Sequence, residues 1–321
     1  MAAAAATAPY PAPQLHFLIA GVQKGGTTAL GNHLRQCSPY CCLTGSYLRS
    51  GNPEEHCFDT LSRQPSCKRQ LQPRYCNRSS PLVRVGAEDP YFIYVFRRDL
   101  ALGMTAFAPR LKLILLLREP VQRAFSQFSM RVLAAGHVIP TGGHPGHPNG
   151  LLGDAFFLAM QEEVSAGRPS RPDRSHIAWR GFYGEQLERL HTEKPAAWRI
   201  HVAISEQIFS SESQRDAAYN KILEYLGVPT VDHFDPVFTR PGNHSALLVL
   251  TPHAARLLRR LYVNDTNALY ARLGFKVTEW ETWYAERRLS AAALMLPGGA
   301  RDAPASSAAV NDVLESASGS F

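Results

Sequence analysis

A chain of 321 residues with 45% apolar content can bury a full core, either as one large domain or as two small ones. Its 34 basic residues outnumber 27 acidic ones, and the formal net charge of +7 favours anionic ligands such as nucleotides, acidic glycans or nucleic acid. The longest apolar run, Leu111 to Leu117, is strand-sized and interrupted at Lys112, which excludes a membrane-spanning helix built on it.

In chain order, residues 1–14 read as a flexible N-terminus. The stretch MAAAAATAPYPAPQ has no basic n-region, so it is neither a convincing signal peptide nor an anchor, and no membrane contact is expected. Leu15 to Ala20 is an apolar run suited to a buried parallel strand. Behind it comes AGVQKGGTTAL (Ala20 to Leu30), then a helical pattern in which Ala29, Leu30, His33 and Leu34 share a face.

All six cysteines lie between Cys37 and Cys76, without the CxxC or Cys/His spacing of a zinc site. Cys67 and Cys76 can close a small loop, and the sequons at Asn77, Asn243 and Asn264 fit a luminal protein. Luminal and cytosolic placements both stay open on these residues.

Leu111 to Leu117 is the second buried strand. Val121, Ala124, Phe125 and Phe128 follow at helical spacing, with Pro120 in the first turn. Residues 136–150 form a Gly/Pro/His loop insertion; His144 and His147 have no third ligand near them, and no metal site is expected. Arg199 to Ile204 is the third strand. Its helix carries Tyr219, Ile222, Leu223 and Leu226 and stops at Gly227 and Pro229. Thr251-Pro252 is an N-cap and N1 pair opening a helix through Leu257, Leu258, Leu261 and Leu269. Residues 286–321, Ala/Ser/Gly-rich from about Ala291, read as a largely disordered tail. Alternating strands and helices predict an α/β fold over residues 15–285: a P-loop-like, doubly wound domain with a central parallel sheet and helices on both faces.

A strand, a glycine-bearing turn and a helix aim backbone N–H groups at an anion. Gly25 and Gly26 allow the close approach, and Thr27 and Thr28 add hydroxyls at the helix start. A nucleoside-triphosphate loop would end Gly-Lys-Ser/Thr; here Lys24 precedes the glycines and sits beside the bound group. The second strand ends in Arg118, where a Mg-ATP enzyme would place an aspartate for its metal. Arg118 is a cation aimed at a phosphate, and Ser126 on the next helix adds a hydroxyl. Two anion sites without a metal aspartate suggest a nucleotide phosphorylated at both ends.

FLIAGVQKGGTTAL and LKLILLLREPVQRAFSQF resemble the 5′-phosphosulfate loop and the 3′-phosphate motif of sulfotransferases that use 3′-phosphoadenosine 5′-phosphosulfate (PAPS), most closely the carbohydrate type of the heparan sulfate N- and 3-O-enzymes. The resemblance covers roughly Leu15 to Trp280. RGFYGEQLERL (Arg180 to Leu190), RIHVAISEQIF and NALYARLGF fall in the family's order. It implies that Lys24, Gly25, Gly26, Thr27 and Thr28 wrap the phosphosulfate, that Arg118 and Ser126 hold the 3′-phosphate, and that PAPS leaves as 3′,5′-ADP without a metal. PEEHCFD (Pro53 to Asp59) is similar to the family's catalytic segment, which implies Glu54 as general base and His56 as its support, with Glu55 a rival for the base. Lys24 then stabilises the charge building on the leaving oxygen.

The sequence departs from the family in three places. VGAEDPYFIY lacks the usual lysine before its Tyr-Phe pair, Pro53 stands where a lysine precedes the base, and TRPGNHS replaces a longer, cysteine-flanked nucleotide loop. In the last, Arg240 and Gly242 are the substitute nucleotide contacts, and the family's disulfide there cannot form. The implied acceptor is a hydroxyl or amine of an anionic carbohydrate, not a nucleic acid. Seven basic residues between Arg49 and Arg84 suit it, as do Trp179, Phe182 and Tyr183, although a solvated face and core packing explain both sets equally. The family's carbohydrate members work in the Golgi lumen behind an N-terminal anchor, whereas a chain without one would be cytoplasmic. Two further readings remain: a Mg-ATP kinase of the P-loop class, and a catalytically inactive glycan- or nucleotide-binding relative.

Overall fold

The computed structural model describes residues 14–37, 40–43, 82–134, 150–170, 175–233 and 250–293. All three apolar runs are strands of one sheet: β1 (Phe17–Ile19), β4 (Lys112–Leu117) and β5 (Arg199–Ile204). Two strands that the apolar pattern did not reveal complete it, β2 (Cys41–Leu43) and β3 (Arg84–Glu88). The order is β2-β3-β1-β4-β5, and every pairing is parallel. β3 escapes an apolar reading because its sequence is RVGAE. Its centre is Gly86, where a Cβ would fall 2.1 Å from the ring of Phe17, so β1 and β3 pack closely only because that position has no side chain.

Helices cover both faces. On one, Phe17, Ile19, Ile114 and Leu116 point toward α1 (Thr27–Cys37), the short α7 (Ser205–Ile208) and α8 (Glu212–Leu226), meeting Leu30, Leu34, Ile208, Tyr219, Ile222 and Leu223. On the other, Leu18, Leu113, Leu115 and Leu117 pack with α2 (Phe92–Val95), α3 (Arg98–Met104), α6 (Tyr183–Glu193) and α10 (Thr278–Ala293), burying Phe92, Phe96, Tyr183, Trp198 and Trp280. The alternation of β4 residues between the two clusters is the period-two geometry of a strand covered on both sides.

A third cluster joins α4 (Pro120–Ala134), α5 (Gly150–Ser165) and α9 (Pro252–Leu273) through Phe128, Phe156, Leu258 and Tyr262. The expected N-cap forms: Thr251 Oγ1 accepts from the Ala254 N–H, with Pro252 next to it. α8 ends at Gly227, the stop expected there, and Gly227 caps it in the left-handed region with φ +73°. α10 continues to Ala293, past the boundary expected at 285. The 136–150 insertion lies, but for Gly150 at the start of α5, outside the described residues, as does the tail beyond 293. Among the described residues no helix is long and apolar enough to cross a membrane.

Candidate active site

The site gathers at the carboxyl ends of β1 and β4, the central pair of the sheet. Past Ile19 the chain stays paired with β4: Ala20 N–H donates to Ile114 O, Leu116 N–H to Gly21 O and Val22 N–H to Leu116 O. The turn then closes on itself with Gly25 N–H donating to Val22 O at 2.9 Å, and α1 begins at Thr27. Neither glycine can be replaced without displacement. A Cβ on Gly25 would lie 2.4 Å from the Leu116 carbonyl, and one on Gly26, at φ +90°, 2.3 Å from the Phe209 ring.

Lys24 has φ +67°, the only positive value at a non-glycine residue among those described. A side chain in this region costs of order 1–3 kcal/mol and persists where the surroundings over-determine it. Its ammonium reaches α4, where Nζ lies 3.7 Å from Met130 Sδ. Gln122, Ser126 and Met130 are spaced four apart and share one face of α4, so Ser126 stands on the face that Lys24 approaches. Arg118, partly buried at the end of β4, donates from Nη1 to the Lys24 carbonyl at 3.2 Å. The two sequence motifs thus meet: the second motif's cation is bonded to the backbone of the first motif's lysine.

Thr27 is 3% exposed, and Thr28 Oγ1 donates to Glu88 Oε1 at 3.2 Å, so that hydroxyl proton is directed at a buried carboxylate. Glu88 ends β3, and Gly31 makes room for it on α1: a Cβ there would be 2.8 Å from Glu88 Oε2. Asp89, fully buried, accepts from the Tyr91 N–H.

Three groups around the loop, two of them buried and the third partly exposed, were not singled out from the sequence. Arg180, 3% exposed, donates from Nη1 to Gln23 Oε1, and its guanidinium lies 4.3 Å from the centroid of Tyr91 and 5.3 Å from that of Tyr94. Gln23 in turn donates to Tyr91 OH. Burial lowers the Arg180 pKa to about 10, so it remains cationic at neutral pH and holds the residue next to Lys24. It opens the RGFYGEQLERL stretch, but an arginine in a polar helix start carries no sign of burial.

Glu119 and Glu206 are the other two. Glu119 is fully buried and closes the start of α4, accepting from Val121 N–H at 3.0 Å, Gln122 N–H at 2.7 Å and Tyr284 OH at 2.8 Å. Its own N–H donates to Glu206 Oε1, while Glu206 Oε2 accepts from Trp280 Nε1. Burial pushes the Glu119 carboxyl up to about 7. Arg118 is therefore mounted on a junction fastened to α10.

Glu54, His56, Arg240 and Gly242 lie outside the described residues. Among those described, one cluster has metal-ligand geometry, Glu212, Asp216 and His233, on the surface at α8. The loop suits an anionic nucleotide: glycines pressed against β4 and Phe209, a lysine at its crest, an arginine beside it.

No protein-family model matches the sequence, and no curated protein matches it. Among solved structures, the chain is similar to a sulfotransferase from Alicyclobacillus acidocaldarius, with a TM-score of 0.58 and 19% identity over 84% of this chain and 99% of that one. Looser likenesses are to the sulfotransferase domain of the Synechococcus PCC 7002 olefin synthase (0.40, 13% identity, 79% of this chain and 96% of that one) and to that of the curacin biosynthetic pathway (0.40, 14%, 83% and 99%). The first likeness supports the fold; the other two are too loose to weigh.

Proposed function

We propose that this chain is a PAPS-dependent sulfotransferase, moving a sulfuryl group to a hydroxyl or amine of an anionic carbohydrate. The observation that carries this reading is the joined pair of cations: Lys24 held in a left-handed backbone beside Gly25 and Gly26, with Arg118 bonded to its carbonyl. The fold shared with the Alicyclobacillus sulfotransferase agrees with it. The glycan acceptor, the Golgi placement and the roles of Glu54, His56, Arg240 and Gly242 rest on the sequence resemblance.

PAPS, when bound, supplies an activated sulfur whose bond to the bridging phosphate oxygen breaks as the acceptor attacks. The chain's part is binding and charge placement. The turn at Gly25 and Gly26 and the start of α1 receive the 5′ end, Arg118 and Ser126 the 3′-phosphate, and Lys24 the charge on the departing oxygen. Glu54 takes the acceptor proton and His56 supports it.

A second reading, a Mg-ATP phosphotransferase, has one observation in its favour. Thr28 at the helix start is bonded to Glu88, an acidic residue ending the strand beside the loop, which is where a metal-binding pair would stand. Against it, Lys24 precedes the glycines. Thermal unfolding with 3′,5′-ADP, 5′-ADP and Mg-ATP separates the two. A ligand at about a hundred times its Kd stabilises by roughly 2.7 kcal/mol. We expect the shift with 3′,5′-ADP and a smaller one with 5′-ADP; a shift with Mg-ATP alone would establish the phosphotransferase instead.

A further inference from the structure

The Lys24 ammonium rests against a methionine. Its Nζ donates toward Met130 Sδ at 3.7 Å, on α4, one turn beyond Ser126 on the same face. A thioether sulfur is a weak acceptor, so this contact holds the lysine lightly and yields to a charged oxygen. The chain has five methionines, of which the structure describes Met104, Met130 and Met160. Met104 is fully buried and Met160 is 1% exposed, whereas Met130 is 36% exposed. The one solvent-exposed methionine among the described residues is thus the one that touches the lysine of the loop.

Exposure decides which methionine a small oxidant reaches. Attacked by hydrogen peroxide, the sulfur gives a lone pair to one peroxide oxygen. The O–O bond breaks, and the other oxygen leaves as water, taking both protons. The sulfur is oxidised and the peroxide reduced. The product is a sulfoxide, a polar group in place of an apolar one, and methionine sulfoxide reductases reverse it. Its oxygen is a far better acceptor than the thioether it replaces, and on Met130 it stands beside the Lys24 ammonium.

We propose that Met130 is a reversible oxidation site, whose sulfoxide holds Lys24 against α4 and keeps it from an incoming anion. The effect on nucleotide binding rests on the sulfotransferase reading; the capture of Lys24 by the sulfoxide does not.

The nucleotide-free protein is treated with hydrogen peroxide and then with dithiothreitol, which restores mildly oxidised cysteines and leaves sulfoxides in place. The tryptic peptide Ala124 to Arg131 has Met130 as its only methionine, so its mass reports the modification. Met130 should oxidise at least about tenfold faster than Met104 and Met160. The rate at which acetic anhydride labels Lys24 then reads the lysine itself. Labelling should slow by about threefold or more in the oxidised protein, recover after treatment with methionine sulfoxide reductases A and B, and show no response to peroxide in Met130→Leu. The affinity for 3′,5′-ADP, measured by calorimetry, should fall by about fivefold or more and recover in the same way. Met130 oxidising no faster than the buried pair, or Lys24 labelling unchanged by the sulfoxide, would overturn the proposal. Slowed labelling with undiminished 3′,5′-ADP affinity would overturn the claim that the held lysine is kept from the anion. Slowed labelling in a protein whose untreated form binds no 3′,5′-ADP would support the oxidation site and remove the donor reading instead.

Discussion

The β1–α1 and β4–α4 turns leave adjacent parallel strands, point into the same crevice, and solve the same problem in opposite ways. The first uses backbone: two glycines, a left-handed lysine, and a helix with no acidic residue in its first turn. The second closes its helix with its own buried carboxylate, Glu119, which accepts from the Val121 and Gln122 N–H groups. A helix start sealed this way has little left to offer an anion, so the β4 side contributes a cationic side chain, Arg118. One turn offers its amides and the other a guanidinium, and a bond from Arg118 to the Lys24 carbonyl joins the two.

The largest effect that would break this division belongs to Lys24. Lys24→Gly removes the ammonium and relieves the positive φ together, so activity and stability should move in opposite directions. Transfer should fall by about 10²–10³-fold while unfolding becomes harder by roughly 0.5–1 kcal/mol. Steady-state rates from labelled PAPS and a thermal melt check both, and retained turnover would remove Lys24 from the chemistry.

Next comes the seal at Glu119, whose carboxyl is pushed by burial from the ordinary value of 4.5 up to about 7. The folded state then binds the proton more tightly than the unfolded chain. The associated stability is fully present below about pH 4.5 and is lost as pH rises toward 7 and above, a change on the order of 3 kcal/mol. Denaturant melts from pH 4.5 to 8 should show that decline, and Glu119→Gln should flatten it. An unchanged slope in the variant would assign the pH dependence elsewhere.

The smallest effect sharpens the comparison. Arg118→Ala should weaken 3′,5′-ADP by roughly ten- to a hundredfold and leave 5′-ADP nearly unaffected, because one charged contact is worth about 1.5–3 kcal/mol. Equal losses for both nucleotides in calorimetry would place Arg118 on the 5′ end.

What was legible in the sequence follows the same division. Strands β1, β4 and β5 were readable because strands buried on both faces are written as unbroken apolar runs. The glycines and the displaced lysine marked the turn, but the left-handed φ of Lys24, in a loop packed against β4 and Phe209, is carried by no local pattern. β3 was hidden because its packing depends on the missing side chain of Gly86, with Phe17 filling the space from 69 positions away. Arg180 and Glu119 look like surface charges in one dimension. They are buried by partners distant in the chain, Gln23 for one and Tyr284 for the other.

The fastening of Glu119 by Tyr284, and of Glu206 by Trp280, also orders events in time. A chain emerging from the ribosome exposes the glycine turn and Arg118 early, and domains fold broadly from the N-terminal side. The junction that aims Arg118 is nonetheless finished only when α10 arrives, more than 150 residues later. A nascent chain lacking that helix carries the glycine turn, Lys24 and Arg118 but not Trp280 and Tyr284, the groups that hold Glu206 and Glu119 in the finished junction.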